Sequence, residues 1–264
     1  YLFLFLNQRG FMIDFPNAFN RVLVTGGSGF IGGTLVRKLL RESSVDIFNL
    51  DKLGYASNLN TLNKEFDTNR YKIFKVDLND LEDTKIAIQQ SNPDIVFHLA
   101  AETHVDTSIL SPINFLESNI FGTFNLLEAI KPYWESLPYL RKKNFRLIHV
   151  STDEVFGSLG VNGFFSEKSS YDPSSPYSAT KAASDHLVKS WYKTYGLPSI
   201  ITNSSNNFGP WQFPEKLIPV VILNAISNKS IPLYGDGKNI RDWIYVEDHI
   251  DALIAVALKG RIGD

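Results

Sequence analysis

Six apolar runs rich in β-branched and aromatic residues recur along the first 204 positions, at 21–25, 45–50, 71–76, 94–99, 145–150 and 199–202. Each has the length of a strand, and helix-like segments fill the gaps at 31–42, 80–90, 115–131 and 177–195. Pro93 and Pro198 stand just ahead of the fourth and sixth runs, where punctuation belongs. Strands that alternate with helices imply right-handed crossovers and a parallel sheet buried on both faces. The expected fold class is therefore α/β, with a doubly wound parallel sheet. After residue 204 the pattern loosens into "NSSNNFGPWQFPEKLIP" and "IPLYGDGKNIRDWIYVED", rich in Gly, Pro, Asn and aromatics. Such stretches suit loops of a smaller, substrate-covering part. The expected division is 20–204 for the sheet domain with the catalytic residues, and 205–264 for a mixed segment that begins an incomplete second domain.

The first run ends in a glycine-rich turn. "RVLVTGGSGFIGG" sets Gly26, Gly29 and Gly32 between strand and helix. Glycine permits the tight turn and lets backbone amides approach a pyrophosphate at the helix N-terminus. A glycine triplet alone is a weak signal, since many turns are glycine-rich. Here Asp51 closes the second run 19 residues after Gly32, where a carboxylate would bond the adenosine ribose. Together these predict a Rossmann-type domain that holds NAD. A carboxylate at 51 disfavours a 2′-phosphate and hence NADP, although Lys52 beside it pulls the other way.

"PYSATKAASDHL" places Tyr177 and Lys181 four residues apart after Pro176, a residue suited to a helix start. Positions i and i+4 share one helix face. A free phenol ionises near pH ~10, so a tyrosine base near neutral pH needs about 4 kcal/mol of help. Lys181 and a nicotinamide charge could supply it. On a helix surface this spacing is commonplace; after a dinucleotide fingerprint it reads as a tyrosine base with its lysine.

"LIHVSTDEVFG" poses a sharper problem. A buried run gives way abruptly to Ser151, Thr152, Asp153 and Glu154, and adjacent carboxyls at the end of a core strand are costly unless bonded or used. Successive strand side chains point to opposite faces, so both carboxyls reach one ligand only where the chain leaves the sheet. That is the carboxyl end of the strands, where open α/β sheets bind ligands.

The fingerprint, "LAAETHVD" and the Tyr–Lys spacing resemble the extended short-chain dehydrogenase/reductases. "STDEVFG", "SNNFGPWQFPEKLIP" and "YGDGKNIRDWIYVEDH" narrow the likeness to the dTDP-glucose 4,6-dehydratases, over about residues 20–260. The resemblance implies an NAD-dependent lyase that acts in the cytoplasm, as a homodimer, on a nucleotide sugar in deoxysugar biosynthesis. It implies that Tyr177 takes the C4 hydroxyl proton while hydride passes to NAD. Glu154 then removes the C5 proton, Asp153 protonates the departing C6 hydroxyl, and hydride returns to C6. Thr152 would bond the C4 oxygen. Carried over by position, Gly26, Gly29, Phe30, Ile31 and Gly32 line the dinucleotide turn, with Asp51 and Lys52 at the ribose and Asp77 and Leu78 at the adenine. Leu99, Ala100, Ala101 and Thr103 run along the cofactor, with Ser118, Tyr177, Lys181 and Asn207 near it. Thr103, Thr152, Asn206, Lys216, Leu217, Pro232, Tyr234 and Arg241 would hold the substrate. The segment between Glu154 and Tyr177 looks short for the family, and Phe156 and Phe208 stand where tyrosine is frequent. A UDP-glucose 4-epimerase or UDP-glucuronate decarboxylase shares the fingerprint and the Tyr–Lys pair, but neither needs two carboxyls to eliminate water. A non-catalytic NAD-binding fragment is the rival of a different class.

Composition narrows the remaining options. Without cysteine there is no disulfide, thiolate zinc site or thiol nucleophile. The five histidines show no ligand spacing, so no metal is expected, and a net charge of −2 gives no reason to expect nucleic acid or membrane as a partner. His104 and His249 read as structural. "YLFLFLNQRGF" is too short to span a bilayer, and Arg9 follows rather than precedes its apolar part. Met12 is the expected natural start, and "LKGRIGD" reads as a truncated end because the family continues for several tens of residues more.

Overall fold

The structure is a computed structural model and describes residues 12–13, 15–16, 19–61, 68–159, 163–233 and 235–264. The apolar start at 1–11 and Tyr234 lie outside those residues. In chain order the elements are β1 (Arg21–Thr25), α1 (Phe30–Glu42), β2 (Asp46–Asp51), β3 (Tyr71–Lys75), α2 (Leu81–Ser91), β4 (Ile95–His98) and α3 (Val105–Leu110). There follow α4 (Pro112–Phe115), α5 (Gly122–Ser136), α6 (Tyr139–Asn144), β5 (Arg146–Thr152) and α7 (Pro176–Tyr195). The last are β6 (Ser199–Ser204), β7 (Asn206–Phe208), α8 (Leu217–Ile226), β8 (Trp243–Tyr245) and α9 (Val246–Lys259).

The six long strands form one parallel sheet in the order β3-β2-β1-β4-β5-β6. Period-two alternation sorts their side chains cleanly. Val22 and Val24, Ile95 and Phe97, and Ile148 and Val150 pack on one face with Leu35 and Leu39 of α1 and Ile250 and Leu253 of α9. Leu23, Val96 and Leu147 point the other way, into Leu126 and Ile130 of α5 and Val188 of α7. Two buried layers explain why the strands read as continuous apolar runs. The strand order reverses between β1 and β4, and a ligand crevice opens at that switch point.

Two regions differ from expectation. The helix expected over 115–131 is interrupted by a π-helical stretch, Leu116–Phe121, between α4 and α5. That insertion buries Asn119, whose amide bonds the backbone of Glu102 and the hydroxyl of Thr180. Within 205–264, expected to be a mixed segment with loops at its two Gly-, Pro- and Asn-rich stretches, the chain forms α8, a two-stranded parallel pair β7–β8, and α9. The β7–β8 register joins Asn206 to Trp243, a pairing too distant in sequence to announce itself. α8 (LIPVVILNAI) is apolar nearly throughout and so has no legible amphipathic period.

Candidate active site

The glycine turn is built by sterics. Gly26 has φ +71°, and a Cβ there would lie 2.8 Å from the Ala100 backbone nitrogen and Cα. A Cβ on Gly32 would overlap the Gly26 carbonyl oxygen. Gly29 caps α1 without a side-chain bond, so no side chain occupies the first N–H groups of the helix. That leaves a cradle of backbone donors with the positive end of the helix dipole behind it, fitted to a pyrophosphate. At the end of β2, buried Asp51 accepts from the backbone N–H groups of Ser28 (2.9 Å) and Leu53 (2.8 Å) and from the Ser57 hydroxyl (3.0 Å). Asp51 thus ties the glycine turn to the 52–57 loop, and a carboxylate has lone pairs left for a ribose. Lys52 is engaged with Glu102 at 2.6 Å, so its charge is matched within the chain and is a poor attractant for a 2′-phosphate.

A cleft of ≈ 420 Å³ runs across the carboxyl ends of the strands. The structure gathers along its walls Gly26, Gly29, Phe30, Ile31 and Gly32, then Asp51, Lys52, Asp77, Leu78, Leu99, Ala100, Ala101 and Thr103. Ser118, Thr152, Glu154, Tyr177, Lys181, Asn206, Asn207, Lys216 and Leu217 line it as well. Asp153, Pro232 and Arg241 do not line it. Arg241 is exposed, yet its charge still reaches both carboxyls of the pair. Sequence reasoning placed the stretch 99–103, Glu102 included, along the cofactor but missed Tyr55, Gln212, Phe213 and Glu215, which also face the cleft. They sit in irregular loops, where no periodic signal points to them.

The acid pair lies where β5 leaves the sheet. The Thr152 hydroxyl accepts from the Glu154 backbone N–H and donates to Asp153 Oδ1, each at 3.2 Å, and shapes the 3₁₀ turn Asp153–Phe156. Burial raises the pKa of both carboxyls; Asp153's charge raises Glu154 further, while Arg241 and Lys216 pull it down. For Asp153 the bonds from Thr152 and the backbone work against burial. These shifts point the same way for both groups and do not separate donor from acceptor; Glu154 lines the cleft, and Asp153 is its neighbour in the turn.

Ser175 opens α7 with a capping box and Pro176 fills its first position. Tyr177 and Lys181 are both buried on the sheet-facing side. Lys181 Nζ donates to the Val150 carbonyl at 2.9 Å, and the Thr152 hydroxyl lies close enough to the Tyr177 phenol to favour its ionised form. Burial first, then the Glu154 charge, hold the Tyr177 phenol above its ordinary value, with Thr152 pulling the other way. The chain's own groups therefore do not make Tyr177 a base; a cationic ring beside it would, which is the charge an oxidised nicotinamide carries. Of the two histidines taken as structural, His104 caps α3 by accepting from the Thr107 N–H. His249, its pKa lowered to about 4 by burial, is neutral and bonds Asn207 Oδ1 at 2.7 Å. It orients a residue of the cleft, a link only the fold reveals.

The comparisons agree with this geometry. The profile of the GDP-mannose 4,6 dehydratase family matches residues 23–264. A dTDP-glucose 4,6-dehydratase of Neisseria meningitidis is 52% identical over 245 residues, which is 92% of this chain and 69% of that protein. The crystal structure of the Bacillus anthracis dTDP-glucose 4,6-dehydratase in complex with NAD superposes with a TM-score of 0.83 at 41% identity, covering 93% of this chain and 74% of that one. A Thermus thermophilus UDP-glucose 4-epimerase with NAD scores 0.79 at 32% identity, covering 92% and 75%. The fold is common to dehydratase and epimerase, but the higher identity lies with the former, and the chain belongs to the GDP-mannose 4,6 dehydratase family, among the dTDP-glucose 4,6-dehydratases.

Proposed function

We propose that this protein converts dTDP-glucose to dTDP-4-keto-6-deoxyglucose and water. The observation that carries the reading is the acid turn at the end of β5, which presents Glu154 in the cleft that also holds Tyr177 and Lys181. NAD fits the cradle described above and, when bound, accepts hydride from the sugar's C4 and gives it back at C6. Gly26, Gly29 and Gly32 let the backbone meet the pyrophosphate, Asp51 takes the ribose, and Asp77 and Leu78 flank the adenine. Tyr177 accepts the C4 hydroxyl proton, with Thr152 bonding the C4 oxygen and Lys181 supplying positive charge. Glu154 takes the C5 proton, made acidic by the C4 ketone, and Asp153 gives a proton to the leaving C6 hydroxyl. Asn206, Lys216, Leu217, Pro232, Tyr234 and Arg241 are assigned to the nucleotide-sugar, Arg241 as a permanently charged donor for diphosphate. Residues 20–204 form the cofactor and catalytic unit in this reading, and 205–264 begin the part that grips the nucleotide sugar. Turnover of dTDP-glucose, followed by product analysis with UDP-glucose alongside, tests the assignment; a 4-epimer as sole product would end it.

Asp51→Ala should weaken NAD by roughly 1.5–3 kcal/mol, the worth of a charge-assisted hydrogen bond. Calorimetric titration of both cofactors checks this, and NADP binding as tightly as NAD would contradict the role given to Asp51.

The reading includes a cytoplasmic homodimer. Phe121 and Phe124 of the π-helical stretch and α5, with Tyr195 at the end of α7, leave an exposed aromatic face, and Trp191 packs edge-on to both Phe124 and Tyr195. Such a patch suits a second copy. Phe121→Glu should convert the dimer to monomer in light scattering, and cell fractionation checks the compartment. No helix among the described residues is long and apolar enough to cross a membrane.

A further inference from the structure

Alternation along β5 puts Leu147, His149 and Ser151 on the face that α7 covers. Beneath that helix lies a carboxylate that the steps above leave unused. Asp185 is 1% exposed and sits one turn beyond Lys181 and two beyond Tyr177. Its Oδ1 accepts from His149 Nε2 at 3.0 Å, and its Oδ2 from Ser151 Oγ at 2.8 Å and the Tyr171 hydroxyl at 2.9 Å. An ionised carboxylate in such a place is unfavourable unless it is bonded and paired. Burial works to raise its pKa, but the His149 bond, the His149 charge in the acid range where that ring is protonated, the Lys181 charge and the Ser151 bond outweigh it and hold Asp185 below the usual carboxylate range.

Lys181 lies one turn before Asp185 on the same face of α7, also buried and with Nζ bonded to the Val150 carbonyl, and its charge bears on Asp185 from there. His149 is fully buried, and burial and the Lys181 charge together lower its pKa. It is therefore neutral, with its proton on Nε2 toward Asp185 and a bare Nδ1 that has no partner. His98, from β4, is neutral by burial as well and lies between the hydroxyls of Thr25 and Thr123. Tyr171, with the His186 ring against it, and Tyr177, with Glu154 and Asp153 acting on it, are further titratable groups around Lys181 and Asp185, and both phenols are held protonated by burial and neighbouring carboxylates. Burial lowers the pKa of Lys181, and Asp185 is the group that opposes this.

We propose that Asp185 is a positioning residue: buried one turn from Lys181 on the same face of α7, it sets a negative charge opposite that ammonium beside Tyr177 and, through His149 and Ser151, anchors the end of β5 from which Thr152, Asp153 and Glu154 project. The proposal rests on the reading that Tyr177 and Lys181 act at the sugar's C4 hydroxyl. Helical spacing makes one residue serve both sides of the cleft. Lys181 lies four positions before Asp185, while the β5 contacts come from 34 and 36 positions away.

The test is the pH profile of C4 oxidation, read as single-turnover formation of reduced cofactor with dTDP-glucose by the full natural protein. A charged Lys181 is needed, so the rate falls at alkaline pH as that proton is lost. In Asp185→Asn this alkaline limb should slide toward neutrality by at least about one pH unit. The rate above pH ~8 should then drop about tenfold or more, with a smaller loss at acid pH and substrate KM within about threefold. Asp185→Glu keeps the charge and should keep the limb close to its wild-type position. A loss of equal size at every pH, with the limb unmoved, would mean that Asp185 only packs the core, and would overturn the proposal. Should Asp185→Asn fail to fold, lysine-labelled wild-type protein carries the test by NMR, with Lys181→Met to assign the signal. A Lys181 ammonium that titrates above pH ~8 supports the proposal, and a midpoint near neutrality overturns it. A wild-type protein that binds NAD but oxidises no substrate would instead sink the underlying reading, and this proposal with it.

Discussion

Tyr177→Phe is expected to slow oxidation at C4 by about 10²–10⁴-fold, the usual cost of removing a general base. The substitution keeps the ring, its edge-on contact with Phe115 and its burial, so the fold should survive and NAD should bind as before. What disappears is the phenol oxygen in the cleft that can receive the C4 proton. Rapid-mixing absorbance should show no burst of reduced nicotinamide with dTDP-glucose. A loss under about threefold would assign the base elsewhere. The rate in the wild-type protein should also depend on cofactor charge. Burial and Glu154 raise the phenol's pKa, so Tyr177 becomes a competent base once a positive ring lies against it.

Glu154→Gln should separate oxidation from elimination. With Tyr177 intact, the variant should still oxidise C4 and accumulate bound reduced cofactor, then stall before water is lost, again by about 10²–10⁴-fold. Asp153→Asn should behave similarly at the next proton, oxidising C4 but eliminating slowly for want of a donor. In the wild-type protein, turnover in heavy water must place deuterium at C5, and hydride taken from C4 must return at C6. An epimerase would return it to C4 and leave C5 unlabelled. Unimpaired dehydration in both carboxyl variants would remove the acid turn from the mechanism. Because burial and the Asp153 charge raise the pKa of Glu154, its base form is present above that raised value and is lost as pH falls through it. The acidic limb of elimination should therefore lie above the ordinary glutamate range and vanish from the Glu154→Gln profile.

Much of this was legible in the chain because it is written locally. A parallel strand buried on both faces must be apolar along its length, so β1, β2, β4 and β5 announce themselves and their alternation with helices fixes the class. The glycine turn is equally local, since a positive φ at Gly26 and the close approach of Ala100 leave no room for a side chain. That Tyr177 and Lys181 share one face of α7 follows from helical period, while their reading as a base and its lysine needed the glycine turn before them. The acid pair is a contradiction visible in eleven letters, "LIHVSTDEVFG", and its only resolution is the end of a strand.

Tertiary structure decided what depends on residues far apart in sequence. Lys52 reads as an argument for NADP until the fold brings Glu102 to within 2.6 Å of it. Asn119 looks like an ordinary helix residue until the π-helical stretch turns its amide onto Glu102 and Thr180. His249 and Asn207 meet across 42 positions, and the cleft walls at Phe213 and Glu215 come from loops without period. Asp185 marks the boundary between the two kinds of knowledge. Its place on the Lys181 face of α7 follows from helix geometry. That it meets His149, Ser151 and Tyr171 beneath α7 does not, because strand order and the packing of α7 on the sheet are set by the sum of many weak apolar contacts rather than by any one residue.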